Sequence, residues 1–359
     1  MVTATSERDA DEILFSVKGR VGCIRLNRPK ALNSLTREMC VAMRAQLAEW
    51  ATDDAIDAVL IEGEGEKAFC AGGDVLKVAR SAQDGSDAWW RFFHDEYRNN
   101  SLIGRLPKPY AALIDGVTMG GGVGVSVHGD YRVATERTLF AMPETGLGLI
   151  PDVGGSNVLP RLPGAMGMYL ALTGYRAKAA DCLYLGVATH YMPSDSLTTV
   201  KADLVDRDDR IDMARLGVVL DAHAGDPGIA PLAEHRADID RHFAQDSVEA
   251  ILAALDADGS DWAHKTAETL RGKSPTSLKL SFELLRRGAA LDLEDCLRME
   301  YRVVRRIMTM DTDFFEGVRS ILIDKDNAPN WSPATLDAVD DGAIAAHFED
   351  LGADELKLD

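Results

Sequence analysis

Cysteine and basic residues are both scarce in this sequence. Its 359 residues include five cysteines, an odd number without any Cys-x-x-Cys pair: Cys23, Cys40, Cys70, Cys182 and Cys296. This wide spacing argues against a disulfide framework or a zinc site and indicates a reducing compartment. The 39 Lys and Arg residues are outnumbered by 58 Asp and Glu residues, which gives a net charge of −19. Such an acidic chain repels nucleic acids and anionic membranes, although locally gathered basic groups can still bind an anionic small molecule.

Long apolar segments are missing as well. The longest stretch without charged side chains near the middle of the chain spans residues 116–129, and it is too short and too rich in glycine to cross a bilayer. The first residues, MVTATSERDADEI, carry four acidic residues against one arginine and lack the apolar core of a signal peptide. We therefore expect a cytoplasmic protein with no membrane partner.

The first part of the chain alternates strand and helix patterns. β-rich runs at 13–18 and 21–26 predict a hairpin, and Thr36 is a candidate N-cap for a helix with one buried stripe. Apolar runs at 58–61 and 109–114 then begin repeats of a strand, strand, helix order. This repetition predicts a sheet-based α/β fold.

The character of the chain changes near residue 200. Beyond it the pattern is helical, with helices predicted at 247–256, 275–287 and 291–308. We therefore divide the chain into a sheet-containing core at 1–200 and a helical C-terminal region at 201–359.

Three catalytic signatures are incomplete. The sequence Gly-Lys-Ser at 272–274 resembles the end of a phosphate-binding loop, but Ala267 stands where the first glycine is required. A serine nucleophile elbow around Ser126 fails because His128 replaces its last glycine. No histidine lies in His-Glu-x-x-His or another metal-binding spacing, which argues against metal catalysis.

Two glycine-rich turns follow predicted strands, at 68–75 and 116–124. Glycine lets the backbone turn sharply and approach a ligand closely, which leaves amide N–H groups free to donate. Two such donors from separate turns make an oxyanion hole. The alternative is that these glycines serve only tight turns and close helix packing.

Two carboxylates occur in the apolar, glycine-punctuated segment at 141–155. Glu144 and Asp152 each follow a proline, and the prolines and glycines of this segment prevent a continuous helix. Burial among apolar neighbours would raise the pKa of a carboxylate toward the range of general acid and base chemistry. Asp152 also fits the N-cap of a following short helix, and the residues alone favour neither role.

These motifs together identify a resemblance to the crotonase (enoyl-CoA hydratase/isomerase) superfamily. The matching segments are LNRPKALNSL, KAFCAGGDV, the GGG run, AMPET with PDVGG, and LALTGYR. In the C-terminal half, KSPTSLK, MEYR and DFFEGVRSILIDKDNAPNWSP are similar to the 3-hydroxyisobutyryl-CoA hydrolase branch. The resemblance implies a crotonase-like spiral of strand-strand-helix units, with a helical C-terminal region that completes the active site and offers homo-oligomer contacts.

The resemblance also implies roles for individual residues. Gly73 and Gly121 match the oxyanion-hole amides, and Glu144 matches the catalytic glutamate. Asp152 matches the second carboxylate of the hydrolase branch, and Glu96 matches its acyl-pocket glutamate.

One departure from the hydratases bears on the reaction. Where they place their first catalytic glutamate, three residues after the oxyanion-hole glycine, this chain has Gly124. Hydration uses two carboxylates around one water, so this glycine argues against efficient hydration.

The expected activity is therefore hydrolysis of a short branched acyl-CoA thioester, 3-hydroxyisobutyryl-CoA in valine catabolism, without cofactor or metal. Glu144 would either attack the thioester or activate a water molecule. Arg28 and Lys30 are candidate contacts to the CoA phosphates, with solvated loop charges as the alternative. Two other functions stay open: an enoyl-CoA hydratase or isomerase, and a non-catalytic acyl-CoA-binding protein.

Overall fold

Two β-sheets form the framework of the protein. The structure, a computed structural model, describes residues 12–205, 210–310 and 313–358. The strands within these ranges are β1 Ile13–Lys18, β2 Val21–Leu26, β3 Ala58–Gly63, β4 Ala68–Cys70, β5 Tyr110–Ile114, β6 Val117–Met119, β7 Tyr131–Ala134, β8 Leu139–Ala141, β9 Ala177–Lys178 and β10 His190–Tyr191.

The larger sheet has six strands in the order β1-β2-β3-β5-β7-β10. The strands β1 and β2 are antiparallel, and all later neighbours pair in parallel. The predicted hairpin is confirmed, with Lys18 opposite Val21 across the turn. Gly19 has a φ of +56° in this turn, a conformation that glycine adopts without a Cβ clash.

The smaller sheet has the order β4-β6-β8-β9, in which only the pair β8-β9 is antiparallel. Successive strands alternate between the two sheets, so β3, β5 and β7 lie in the larger sheet and β4, β6 and β8 in the smaller one. Helices connect these strand pairs. The predicted spiral of strand-strand-helix units is thereby confirmed.

Helices cover the sheets and make up most of the later chain. Within the described ranges they are α1 Arg37–Thr52, α2 Val75–Gln83, α3 Ala88–Gly104, α4 Gly121–Gly124, α5 Gly155–Val158, α6 Met166–Thr173, α7 Ala179–Leu185, α8 Leu197–Val205, α9 Met213–His223, α10 Pro231–Glu234, α11 Arg236–Phe243, α12 Val248–Asp258, α13 Asp261–Arg271, α14 Pro275–Gly288, α15 Leu293–Met310, α16 Asp313–Val318 and α17 Asp341–Ala346. None of the helices in this part of the chain combines the length and the apolar character that a bilayer crossing requires.

Helix α1 begins where the sequence predicts it. The Thr36 side chain accepts a hydrogen bond from the Met39 amide at 3.3 Å, which satisfies one of the amides without a partner inside the helix. Met39, Met43 and Leu47 follow at helical spacing and are buried. This stripe packs α1 into the main hydrophobic core.

Alternation along the strands divides the apolar side chains of the larger sheet between two clusters. In β5, Ala112 and Ile114 belong to the main core, whereas Ala111 and Leu113 belong to a smaller cluster with residues of α8 and α9. Successive side chains of a strand point to opposite faces. Both faces of the larger sheet are therefore covered.

The helical C-terminal region is confirmed. The helices predicted at 247–256, 275–287 and 291–308 correspond to α12, α14 and α15, with small shifts at their ends. The proposed division at residue 200 falls inside α8, and the separation into two domains stays a prediction.

Candidate active site

The first glycine turn leaves the Gly73 amide without a backbone partner in the described part of the chain. Leu35 bridges this turn, because its amide donates to Gly72 O at 2.8 Å and its carbonyl accepts from Asp74 N at 3.0 Å. These bonds use the residues on either side of Gly73, so the N–H of Gly73 points to the opposite side. Gly72 has a φ of +115°, which favours glycine.

The second glycine turn brings the Gly121 amide to the same place. Gly121 is the first residue of α4, after Gly120 at a φ of +47°, and the first amides of a helix have no partner inside it. A Cβ on Gly121 would lie 3.3 Å from Gly73 N and would overlap Glu96 Oε1. Glycine at this position thus allows the two turns and Glu96 to approach each other.

Three carboxylates lie around these amides. Glu96 comes from α3, Glu144 opens the 3-10 turn Glu144–Gly146, and Asp152 precedes α5. Their exposed fractions are 2%, 4% and 4%. A Cβ on Gly120 would lie 3.4 Å from Glu144 Oε1. The predicted site residues Gly73, Gly121, Glu96, Glu144 and Asp152 are therefore brought together by elements far apart in sequence.

Burial dominates the protonation of these carboxylates. It raises the pKa of Glu96 and of Glu144 well above the ordinary 4.5, and the charge of Asp152 raises both further. Burial also raises the pKa of Asp152 to about 6, against a hydrogen bond from Tyr97 that lowers it. The Lys273 ammonium opposes the rise of the pKa of Glu144. The cluster holds protons at pH values at which exposed carboxylates have lost them.

The side chain of Asp152 does not cap a helix. It accepts a hydrogen bond from the Tyr97 hydroxyl at 2.6 Å, whereas α5 has Gly154 as its N-cap and no side-chain capping bond. The capping interpretation of Asp152 is therefore wrong. Its carboxylate is held toward α3 and the other two carboxylates.

The carboxylate that accepts hydrogen bonds from the amides at the start of α5 belongs to Glu300, a residue that the sequence analysis missed. Glu300 of α15 is fully buried, and its Oε2 accepts from Gly154 N at 2.7 Å. Its Oε1 accepts from Ser156 N at 2.9 Å and from Ser156 Oγ at 2.6 Å. The neighbouring Val153 has a φ of +53°, a rare conformation for a β-branched residue. Glu300 thus stabilises the strained turn that follows Asp152.

A signal for Glu300 was present in the sequence. Leu297 and Val304 lie three residues before and four residues after it, and both are fully buried in α15. Residues at these spacings share one face of a helix. A carboxylate inside an apolar stripe indicates a buried polar contact.

Arg28 and Lys30 are in different situations. The Arg28 guanidinium pairs with Glu12 at 3.0 Å and Asp74 at 3.1 Å, and it donates to Ser34 O at 2.7 Å. Its charge is already matched, so the structure gives it the task of fixing the loop beside Gly73. Lys30 is exposed and has no ion pair among the described residues. Their contacts to CoA phosphates stay predictions.

A cavity of about 150 Å³ opens beside the Gly73 turn. Its lining includes apolar Leu35 and Phe92 together with basic Arg37 and Lys77. Acidic Glu38 and Asp74 line the same cavity. Arg37 pairs with Asp95 and Lys77 pairs with Asp74, so the lining carries no excess of positive charge. Sequence reasoning did not select Arg37 or Lys77.

Gly124 is closely packed. A Cβ on it would lie 2.7 Å from Asn100 Nδ2 and 2.8 Å from Val153 Cβ. We therefore expect Gly124→Glu to lower the free energy of unfolding by about 1 to 3 kcal/mol through overpacking. Thermal denaturation measures the effect. Gly225→Glu is the control, because a Cβ on Gly225 meets no atom closer than 3.5 Å; equal stability of the two variants would contradict the packing argument.

Asp152→Asn is expected to change stability in a pH-dependent way. Because burial raises the pKa of Asp152 to about 6 from 3.8, the contribution of this group to stability is full below about pH 4 and is lost as pH rises through 6. The neutral variant avoids that loss, which is on the order of 2 to 3 kcal/mol. Its melting temperature should thus rise relative to wild type between about pH 4 and pH 6 and keep that advantage at higher pH.

The control for this comparison is Asp337→Asn at an exposed aspartate. A constant difference between the Asp152 variant and wild type at every pH would contradict the buried, raised-pKa state of Asp152. Thioester hydrolysis by Asp152→Asn should fall by about 100-fold or more.

No group of three or more His, Cys, Asp or Glu residues within the described ranges could hold a metal ion. The site presents the backbone amides of Gly73 and Gly121 and the carboxylates of Glu96, Glu144 and Asp152.

Comparisons with known proteins extend over nearly the whole chain. The sequence profile described as "Enoyl-CoA hydratase/isomerase" matches residues 21–348. The 3-hydroxyisobutyryl-CoA hydrolase of Danio rerio is 47% identical, over 98% of this chain and 93% of its own. The enzyme of the same name from Homo sapiens is 43% identical, and the match covers 97% of this chain and 91% of the relative. A solved structure described as a carnitinyl-CoA dehydratase from Mycobacterium thermoresistibile is 43% identical with a TM-score of 0.91, over 97% of this chain and 99% of its own.

The expected cytoplasmic location is wrong. Both of these curated relatives are named as mitochondrial, which contradicts the expected cytoplasmic location. That expectation depended on net charge and on the first residues, of which 1–11 lie outside the described part of the chain. Targeting signals are short segments that receptors recognise, so the composition of the folded part does not determine the cellular location.

The profile and the curated relatives match nearly the whole chain, and the solved structure agrees with the two-sheet fold. The chain belongs to the enoyl-CoA hydratase/isomerase (crotonase) family.

Proposed function

We propose that this protein hydrolyses 3-hydroxyisobutyryl-CoA to 3-hydroxyisobutyrate and CoA, as a step of valine catabolism. The observation that carries the proposal is the convergence of the Gly73 and Gly121 amides on a cluster of buried carboxylates with glycine at 124. The relatives named as 3-hydroxyisobutyryl-CoA hydrolases support this choice of substrate.

In this proposal the thioester carbonyl oxygen accepts hydrogen bonds from Gly73 and Gly121. Negative charge develops on that oxygen when the carbonyl carbon is attacked. One preorganised donor stabilises such a transition state by about 3 to 4 kcal/mol. The two amides thus form the oxyanion hole.

Glu144 is the group that starts the reaction. Its Oε2 has no hydrogen-bond partner in the described chain, which leaves it available to the substrate or to water. Direct attack forms a mixed anhydride and breaks the carbon–sulfur bond, and water then hydrolyses the anhydride. Alternatively, Glu144 takes a proton from the attacking water. Both routes require an ionised Glu144.

In this proposal Asp152 acts on the pKa of Glu144, and Glu96 borders the acyl group of the substrate. Asp152 is oriented by the Tyr97 hydroxyl at 2.6 Å, and its negative charge raises the pKa of Glu144. A more basic carboxylate is a better nucleophile or proton acceptor once it is ionised. Glu96 lies against Gly121, at the level of the acyl group. Coenzyme A enters as part of the substrate, and no cofactor is part of the proposal.

A hydratase or dehydratase is the second candidate. The similar structure described as a carnitinyl-CoA dehydratase favours it, since addition or removal of water can use the same fold and oxyanion hole. The absence of a carboxylate at Gly124 argues for hydrolysis. A third candidate, binding without turnover, leaves the buried carboxylates without a task. Homo-oligomer contacts through the helical C-terminal region stay a prediction.

Thiol release tests the proposal. We expect the purified protein to release free CoA from 3-hydroxyisobutyryl-CoA with a higher kcat/KM than from acetyl-CoA or straight-chain acyl-CoAs. Hydration of crotonyl-CoA, followed in parallel by its absorbance, should be much slower. Rapid hydration without thiol release would favour the second candidate, and binding without either reaction would favour the third.

A further inference from the structure

Helix α3 places two buried polar side chains one helical turn apart against the glycine face of α4. Glu96 lies against Gly121, and Asn100 lies against Gly124. Residues four apart in α3 and three apart in α4 each share one face of their helix. The pair of Asn100 and Gly124 therefore lies one helical turn beyond the pair of Glu96 and Gly121, next to the oxyanion-hole glycine.

The Asn100 amide is buried and has no hydrogen-bond partner among the described residues. Its exposed fraction is 0%, and neither Oδ1 nor Nδ2 forms a hydrogen bond within the described chain. Asn99 beside it is also fully buried; its Nδ2 contacts Met43 Sδ at 3.0 Å, and its Oδ1 alone has no partner among the described residues. Buried polar groups normally have partners, and one that lacks them requires an explanation. Within the same described ranges, Glu96 Oε1 and Glu144 Oε2 of the candidate site also lack hydrogen-bond partners.

The depth of Asn100 fits a particular part of the substrate. Gly124 follows Gly121 by three residues, which is about 4.5 Å along the axis of α4. If the Gly121 amide holds the thioester carbonyl oxygen, the next turn lies beside the acyl carbons beyond it. A hydroxyl group on the third carbon donates and accepts one hydrogen bond each, and an amide side chain offers both roles in return.

We propose that the Asn100 side-chain amide binds the 3-hydroxyl group of the acyl chain and thereby sets a preference for 3-hydroxyacyl thioesters. This inference rests on the proposed function. Gly124 makes room for the amide, because a Cβ there would lie 2.7 Å from Asn100 Nδ2. Asn100 thus determines the specificity for the 3-hydroxyl group. Its amide occupies the space that a side chain at position 124 would otherwise fill.

The chemistry of an amide also separates hydrolysis from dehydration. Removal of the 3-hydroxyl as water needs a group that protonates the departing oxygen, and a carboxylic acid can do so. An amide holds the hydroxyl but does not supply that proton. Asn100 at this position therefore retains the hydroxyl while Glu144 acts on the thioester.

The test compares 3-hydroxyisobutyryl-CoA with isobutyryl-CoA, which lacks only the hydroxyl group. We expect Asn100→Ala to lower kcat/KM for thiol release from the hydroxylated substrate by about 10- to 100-fold, the loss typical of a hydrogen bond to a buried group. For isobutyryl-CoA the change should be under about threefold. The ratio of the two values is the readout.

Two further variants separate recognition from folding. Asn100→Leu removes the amide at similar volume and should keep or raise the melting temperature, because an unpartnered buried amide destabilises the folded state; it should lose the substrate preference as Asn100→Ala does. Asn99→Ala is the matched control on the same helix and should leave the ratio unchanged.

The outcomes distinguish this inference from the proposed function. Equal losses for both substrates in the Asn100 variants, or an unchanged ratio, would overturn the role of Asn100. A wild-type protein that hydrolyses both thioesters equally well would overturn it too, while leaving hydrolysis in place. A wild-type protein that releases no thiol from either substrate would overturn the proposed function itself.

Discussion

Glu144→Gln is expected to lower kcat for thiol release by about a thousandfold or more, while the Kd for the acyl-CoA changes only a few-fold. The amide keeps the shape of the side chain but neither attacks a thioester nor accepts a proton from water. Losses of this size are typical when the group that starts the reaction is removed. Rapid-quench assays of CoA release and calorimetric titration with the acyl-CoA measure the two effects separately.

Glu49→Gln, at an exposed glutamate of α1, is the control and should behave as wild type. Residual activity of the Glu144 variant above about a tenth of wild type would remove Glu144 from its proposed role.

The same residue predicts how activity depends on pH. Burial raises the pKa of Glu144 well above its ordinary 4.5, and the neighbouring Asp152 charge adds to the rise. Since only ionised Glu144 reacts, kcat/KM should increase with pH and reach half of its maximum well above pH 4.5. The stability contributed by the neutral form is lost over the same interval. Activity should therefore rise where stability falls.

Glu300→Ala is expected to lower the free energy of unfolding by about 3 to 5 kcal/mol. The change leaves Gly154 N, Ser156 N and Ser156 Oγ buried without the acceptor they share. The turn at Val153, with its φ of +53°, then loses the contact that holds it. Because Asp152 directly precedes this turn, kcat should fall as well, by about 10- to 100-fold.

Chemical denaturation and thiol release test this prediction together. Glu283→Ala in α14 is a matched control. Among the residues that the structure describes, this glutamate pairs only with exposed Arg287 at 2.7 Å, and the variant should cost less than about 1 kcal/mol. Glu300→Gln keeps one oxygen for Ser156 and should give an intermediate loss. Full activity of Glu300→Ala in its folded state would show that Asp152 is positioned without Glu300.

Local patterns predicted the framework of the fold well. The hairpin of β1 and β2, the Thr36 cap of α1, and helices α14 and α15 correspond closely to their predicted ranges. Each depends on side-chain periodicity or on a cap within one segment, which the sequence displays directly. The alternation of strands between two sheets follows from long-range pairing, and the repeated strand-strand-helix order indicated it only in outline.

The candidate site was predictable in part. The sequence pattern singled out the two glycine turns, Glu144 and Asp152, and the resemblance added Glu96 and selected Gly73 and Gly121 within the turns. The fold brings these residues together. Glu300 was missed although its place in the apolar stripe of α15 indicates burial, because the amides of Gly154 and Ser156 that it binds lie in a distant element. Asn100 was missed because its packing against Gly124 depends on tertiary structure, which a local sequence pattern does not display. The two roles considered for Asp152 could be separated only when the hydrogen bond to Tyr97 was known.

The most direct test of the account is the identity of the products that wild-type protein forms from 3-hydroxyisobutyryl-CoA. Hydrolysis gives free CoA and 3-hydroxyisobutyrate, whereas dehydration gives an unsaturated acyl-CoA that is lighter by one water and still holds its thioester. Mass spectrometry of one reaction mixture distinguishes these products. Our account predicts free CoA and 3-hydroxyisobutyrate in equal amounts, with Glu144→Gln forming neither. Accumulation of the unsaturated acyl-CoA without free CoA would contradict it.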